Sequence, residues 1–215
     1  MSYEYGLYIC GLHFGTYWLI SAMFYLIDLW CLDKNHKNWK NYGKAVRVTF
    51  LNHLFISLPV FYLLHNQISN AIDRSESDNL ITILLKIFGI VNLSNLFFYV
   101  SHYILHFKPL YDWIHYQHHE FIDVIVVGAM YAHPIEHLIC NVLAFVIPFI
   151  LIGSNFWVTM FMILGGTFMT LAAHCDYKFL GIGNDHVTHH KLFVYNYGFG
   201  GYLDKLFGTY RKEKK

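Results

Sequence analysis

At 215 residues the chain has the length of one ordinary domain. It is 56% hydrophobic, 19% aromatic and only 13% charged, about half the usual charged share, which excludes an ordinary soluble domain. A formal net charge of +1 leaves no basic surface of the kind that binds nucleic acid, and four scattered cysteines without a CxxC pair read as buried thiols rather than a disulfide framework.

Gly6–Trp30 is apolar apart from His13 and Asp28, and at ~1.5 Å per residue it can cross a ~30 Å hydrocarbon core. Met1–Cys10 carries no basic residue, so this run reads as a retained anchor rather than a signal peptide. Asp33–Arg47 follows as a loop with Lys34, Lys37, Lys40, Lys44 and Arg47, which the positive-inside bias assigns to the cytosol. Val48–Leu64 is a second, shorter span that Pro59 should kink. His65–Asn79 reads as a polar loop on the opposite side. Leu80–Ser101 is a third span, and it delivers His102 and His106 to the side of the basic loop.

Phe107–Ala132 is expected not to span. Residues 138–173 contain no Asp, Glu, Lys or Arg, and are interrupted by Pro148 and by Gly153-Ser154-Asn155. They read as a helical hairpin that leaves and returns on one side. That parity puts His102, His106, His115–His119, His174, His186–His190 and the basic tail Arg211–Lys215 on one face. Without repeats or low-complexity linkers, the chain is expected to form one integrated unit. Residues 1–79 would supply N-terminal transmembrane helices and loops, and residues 80–215 the histidine-bearing region. The expected fold is an all-α integral membrane protein: about four transmembrane helices, as three spans plus a helical hairpin, under a cytosolic histidine-rich cap.

Fifteen histidines are a large excess, and eleven of them fall between His102 and His190. Eight form three clusters: His102-x-x-x-His106, His115-x-x-His118-His119 and His186-x-x-His189-His190. Residues i, i+3 and i+4 share a helix face, so each cluster should present its imidazoles in one direction. Neutral imidazole suits Zn, Fe, Cu or Ni. Eight such ligands exceed the three or four of a mononuclear zinc site and suit two metals with open positions. The residues alone leave the metal open; the ligand count and the membrane setting make two irons, able to bind dioxygen at open positions, the expectation, with zinc, which has no redox chemistry, as a possible substitute.

His133 and His174, in short motifs of their own, are expected to join the ligands. His137 could reach the same face as His133 but also opens the apolar hairpin. His13, His36, His53 and His65 are unclustered and read as core or interfacial residues. Glu136, Asp185 and Asp204, and with them Asp112 and Asp123, could accept N–H bonds from ligand imidazoles. Glu136 is favoured because it follows His133 by three. No catalytic group beyond the metal ligands is expected. Aromatic residues of Leu93–Tyr103 and Trp157–Phe168 could line an apolar route for a lipid, or simply pack and face lipid.

The arrangement resembles the fatty acid hydroxylase/sterol desaturase superfamily of membrane di-iron enzymes over roughly residues 90–210. The three clusters match its histidine boxes. Tyr131-Ala-His-Pro-Ile-Glu136 is similar to the AHPxE segment of C4-methylsterol oxidases. His189-His-Lys-Leu-Phe-Val-Tyr-Asn-Tyr197 and Asp204-Lys-Leu-Phe-Gly-Thr209 are similar to the ending of that group. His174-Cys-Asp-Tyr-Lys-Phe179 is similar to its HSGYDF-type segment, with departures at Cys175 and Lys178. The resemblance implies dioxygen-dependent hydroxylation or oxidation of a lipid at an endoplasmic-reticulum-type membrane, with a sterol as lead substrate and the catalytic face cytosolic. It implies electrons from NAD(P)H through a separate donor such as cytochrome b5 or its reductase, since no cytochrome b5 domain lies in the sequence. A fatty acyl or sphingolipid hydroxylase or desaturase is the near alternative. A non-catalytic metal-binding or zinc-transport membrane protein is the alternative from another class; a transporter would place its ligands near mid-bilayer rather than beyond the span ends.

Overall fold

A computed structural model describes residues 5–31, 39–175 and 184–212. Its long elements are α-helices, of which four are long and apolar enough to cross a membrane. They are α1 (Tyr5–Trp30, continuing to Cys31), α2 (Trp39–Leu63), α4 (Leu80–Leu105) and α5 (Pro134–Ile152). A short amphipathic helix, α3 (His65–Asp73), links α2 to α4. The apolar α6 (Phe156–Ala172) returns from α5 through the turn at residues 153–155, as the expected hairpin does, but packs on α1, while α5 packs on α4. Helix α7 (Asn184–Leu192) and the single-turn-scale α8 (Tyr202–Phe207) complete the chain.

Two stretches differ from the sequence reading. Trp39–Arg47 is the first part of α2, not loop; only residues 32–38 of the basic stretch lie outside the described residues. Lys40, Lys44 and Arg47 disguised it. Between them Tyr42, Ala45 and Val48 form a stripe packed on Phe121, Ile125, Val127 and Tyr131. His65–Asp73 is likewise helical, because Ile68 and Ile72 repeat at helical spacing and bury against Ile9, Cys10, Phe61, Val142 and Val146.

Pro59 lies inside α2 just after a π-helical segment at His53–Ser57, and Pro148 lies inside α5 after another at His137–Leu143. These wider turns absorb backbone hydrogen bonds that proline cannot complete. Cys10, Cys140 and Cys175 are buried thiols, as their apolar settings imply.

The hairpin turn is fixed at the end opposite the clustered histidines. Gly153 has φ +79°, and a Cβ there would come within 2.6 Å of the Ala71 carbonyl oxygen, so no other residue fits. Asn155 caps α6 by accepting from Val158 N at 3.0 Å. The Arg74 guanidinium donates to the carbonyls of Ile150 and Leu151 at the end of α5. Nearby, Lys86 pairs with Asp78 at 2.7 Å and donates to Ser75 at 2.9 Å. At the other end Glu136 meets His115 and His174 meets His118, so both feet of the hairpin stand at the histidine end.

Between α4 and α5 the chain forms a strap across that end. It comprises one helical turn at Leu110–Trp113 and 3-10 turns at His115–Glu120 and Val126–Met130. Tyr17 and Thr49 both donate to the Val127 carbonyl, at 3.0 and 3.2 Å, and Asn52 donates to Ala132 O at 2.8 Å. These bonds tie the strap down onto α1 and α2.

Candidate metal centre

Nine of the ten histidines expected as ligands converge in two groups. His102, His106, His115, His119 and His189 form one; His118, His174, His186 and His190 form the other. Within each group, one ligand atom per residue lies within 4.8 Å of all the others. The groups abut, with ring centroids 4.6 Å apart for His119 and His190.

The expectation that each cluster faces one way is corrected here. His115 and His119 turn to the first group while His118, on the same 3-10 segment, turns to the second. On α7, His186 and His190 are one helical turn apart and share the second group, and His189 faces the first. Each of these two boxes therefore bridges the two groups.

The outer nitrogens explain why the inner ones are ligand-ready. His102 Nδ1 lies 2.7 Å from Tyr197 O, His118 Nδ1 3.1 Å from Tyr131 O, His174 Nδ1 3.0 Å from Thr170 O and His189 Nδ1 2.6 Å from Tyr195 O. A backbone carbonyl can only accept, so each Nδ1 carries the ring proton and each Nε2 keeps its lone pair. Those Nε2 atoms nevertheless face one another. His118 and His174 approach at 3.5 Å, and His189 approaches His119 and His106 at 3.1 and 3.2 Å. His115 Nε2 meets the Nε2 atoms of His102, His106 and His119 at 3.1, 2.9 and 3.0 Å. One imidazole nitrogen has one proton or one lone pair and cannot satisfy three partners. Lone pairs gathered this way fit a cation, and two groups fit a di-metal site.

Electrostatics agree. Burial pushes His118 down to about 4 and His174 to about 3, in the latter case reinforced by His118. Burial first and neighbouring imidazoles second hold His115, His119, His186, His189 and His190 well below the ordinary histidine range. All are neutral near pH 7, the form that binds metal.

The remaining expected residues are placed as follows. His133 stands outside both groups and caps α5, its Nδ1 accepting from Ile135 N at 3.3 Å. Glu136 is buried with Oε1 2.9 Å from His115 Nδ1, though off the line of a good hydrogen bond. Among the described residues Asp204 has no hydrogen bond to an imidazole. It is fully buried and accepts from Tyr197 N at 2.7 Å, Gly198 N at 3.0 Å and Thr209 Oγ1 at 2.8 Å, so it holds the loop whose Tyr197 carbonyl holds His102. The Asp185 carboxylate accepts from Tyr210 at 3.4 Å. Trp157 and Phe161 are exposed on the outside of the bundle. Asp176–Phe179 lies outside the described residues.

One residue with a positioning role was not singled out from the sequence. Asn196 sits between the two carbonyls that hold His189 and His102, with φ +59°. Its side chain donates to Asp185 O at 3.1 Å and Arg211 O at 2.7 Å and accepts from Arg211 N at 2.8 Å. Asparagine tolerates that left-handed backbone. The signal was present in the Tyr-Asn-Tyr spacing after the third cluster. Asn95, buried in α4, clamps the same loop by exchanging two 2.9 Å bonds with the Phe199 backbone.

Four membrane-length helices closed at one end by two groups of buried, neutral imidazoles define an integral membrane protein with a histidine-built di-metal type of site. The Fatty acid hydroxylase family profile matches residues 87–209, more than half of the chain, and the chain belongs to that family. It is 33% identical over 171 residues to Fatty acid hydroxylase domain-containing protein 2 of Homo sapiens, covering 77% of this chain and 51% of the relative. It is 26% identical over 187 residues to Methylsterol monooxygenase 1 of Gallus gallus, covering 80% and 63%. It is 32% identical over 114 residues to Fatty acid hydroxylase ahd1 of Mycosarcoma maydis, covering 52% and 30%. The chain thus spans about half the length of the human relative. No solved structure matches it.

Proposed function

We propose that this chain is a membrane-bound, dioxygen-dependent di-iron oxidase that hydroxylates or oxidises a lipid, with C4-methyl oxidation of a sterol as the leading reaction. The observation that carries the reading is the set of carbonyl-pinned imidazoles whose Nε2 lone pairs converge in two adjoining groups. His102, His106, His115, His119 and His189 would hold one iron, and His118, His174, His186 and His190 the other. Bound there, two irons would supply the redox chemistry by which dioxygen, two electrons and two protons convert a C–H bond to C–OH with release of one water.

The chain's own residues do the rest. Carbonyls of Tyr131, Thr170, Tyr195 and Tyr197 fix the tautomers of His118, His174, His189 and His102, and Glu136 Oε1 stands 2.9 Å from His115 Nδ1. Burial keeps the rings neutral and excludes bulk water. His133 would serve as a helix cap beside the site. Electrons would come from NAD(P)H through a separate donor such as cytochrome b5, at an endoplasmic-reticulum-type membrane with the histidine end cytosolic.

Similarity to a methylsterol monooxygenase supports the sterol reading, and similarity to a fatty acid hydroxylase keeps an acyl or sphingolipid substrate as the second. The test is lipid profiling of a sterol-pathway-deficient host expressing this chain against a His118→Ala control. A sterol that gains oxygen only with the intact chain is expected. Unchanged sterols with altered acyl chains would select the second substrate. A purified, iron-replete chain that holds no second metal would rule out the di-iron form.

A further inference from the structure

Helix α4 gives a scale for depth in the bilayer. Its exposed apolar side starts at Leu80, and the Lys86–Asp78 pair marks the same edge. At ~1.5 Å per residue, a ~30 Å hydrocarbon core that starts at Leu80 ends at about residue 100, just short of His102. On that scale Asn92 stands about 18 Å and Asn95 about 22 Å above Leu80, within the core. A core that started at Lys86 would place both deeper.

The turn that carries α8 is fastened to this inner part of α4. Asn95 exchanges two 2.9 Å bonds with the Phe199 backbone, and the Tyr202 hydroxyl donates to Asn92 Oδ1 at 2.7 Å. The Phe207 ring stacks on Tyr99 with centroids 5.3 Å apart. Irregular backbone at membrane depth is tolerated only where its polar groups are paired within the protein. Here Asp204 accepts from Tyr197 N, Gly198 N and the Thr209 hydroxyl, and Asn95 takes both polar groups of Phe199.

The outward side of α8 is apolar. Leu206 is 72% exposed and Phe207 55%, with Tyr202 exposed one turn before Leu206, while Leu203 packs inward on Tyr99 and Tyr197. Leu96 and Tyr103, one turn either side of Tyr99, are exposed too, so the apolar surface continues onto a spanning helix. Lys205 is the one exposed charge in α8. Its ammonium turns back over the Tyr210 ring at 4.7 Å, where Tyr210 meets Asp185 beside the histidines.

We propose that α8 is a membrane-inserted wedge, with Tyr202, Leu206 and Phe207 among the acyl chains of the leaflet on the histidine side. An insertion of this depth is that of an interfacial helix, which buries its apolar face by roughly 5–10 Å. Tyr197, whose carbonyl fixes His102, stands at the head of the same turn, so the wedge ties the first histidine group to the leaflet. The inference rests on the spanning helices and not on the oxidation reading.

The test uses the full, unmodified chain in nanodiscs of phosphatidylcholine with a diazirine midway along one acyl chain, and maps the adducts by mass spectrometry. Adducts are expected on residues 202–207 as well as on residues 84–97 of α4. Adducts on α4 with none on 202–207 would overturn the proposal. A second measurement places an NBD fluorophore on Leu206→Cys, with labelled wild-type chain as the blank. Iodide quenching should be lost at position 206 and doxyl-lipid quenching should match that of Leu85→Cys, whereas Lys108→Cys, beyond the core, should keep its iodide quenching. Equal iodide quenching at 206 and 108 would show that α8 stands in water. Protection from both quenchers would show that protein, such as a second copy of this chain, covers it; either result defeats the wedge. The same pattern is expected in His118→Ala protein, so failure of the oxidation chemistry would leave this result standing.

Discussion

Two places in the molecule bring histidines together, and they behave differently. At the strap end, eight of the nine rings point nitrogens at one another across 2.9–3.5 Å contacts, several with the opposite nitrogen held by a carbonyl, and His190 joins them through ring contacts alone. Inside the bundle, His13, His53 and His137 meet through ring faces and edges, with centroids 5.7 Å apart for each pair involving His53. His137 Nε2 is taken by Ser57 Oγ at 2.8 Å, and both nitrogens of His53 are buried without a partner. Proximity of imidazoles therefore does not make a metal site. What separates the two places is the anchored proton, which decides where the lone pair points.

The sharpest way to break that comparison is to remove one ring from each place. His189→Ala should abolish activity and empty the first group of metal, while His53→Phe should leave metal content unchanged; elemental analysis of the purified variants checks both. Equal loss from the two would show that the bundle histidines also hold metal. The next effect concerns the anchor rather than the ligand. Asn196→Ala removes three side-chain hydrogen bonds between the Tyr195 and Tyr197 carbonyls and should weaken metal binding about 10- to 100-fold. Competition with a chelator of known affinity measures it, and wild-type retention would mean that the carbonyls stay put without Asn196.

Acid offers a third, smaller test. His118 is held at about 4 in the fold and returns to about 6.5 on unfolding. As pH falls below 6.5 the unfolded chain takes up a proton that the folded chain refuses until about 4, so stability is lost across that window. His118 alone contributes roughly 3 kcal/mol to the loss. The metal-stripped chain should melt progressively lower between pH 7 and pH 4. A flat profile would show that the rings are not held neutral by burial. Smallest of all, His53→Phe should shift stability by about 1 kcal/mol or less, because it removes polar atoms that have no partner to lose.

The spans were readable because their apolar runs are long and uncharged. The first half of α2 was not, since Lys40, Lys44 and Arg47 interrupt a stripe visible only once the Phe121–Tyr131 strap lies against it, where Lys44 pairs with Glu120. Helix α3 was hidden by its short, polar sequence. The histidines themselves were conspicuous, but their division into two groups was not. A spacing of i, i+3 and i+4 predicts a shared face, and it does not say that a 3-10 segment will turn His118 away from His115 and His119. The anchors were harder still, because a backbone carbonyl leaves no trace in the residue type that carries it. Only Asn196, needed to shape the turn between two of them, marks the place.

The Gly153 turn has a consequence for how this stretch can change over time. Its glycine sits against Ala71 and its α5 end is held by Arg74, while the two feet of the hairpin, Glu136 and His174, stand beside His115 and His118. Each arm is thus clamped at both ends and works as a ruler. One residue inserted into α6 would rotate His174 by about 100° and lift it by about 1.5 Å, taking its Nε2 away from His118. Composition along the arms is free to drift among apolar residues of similar size, but their length is not. Insertions and deletions should therefore be far rarer between residues 134 and 174 than substitutions are.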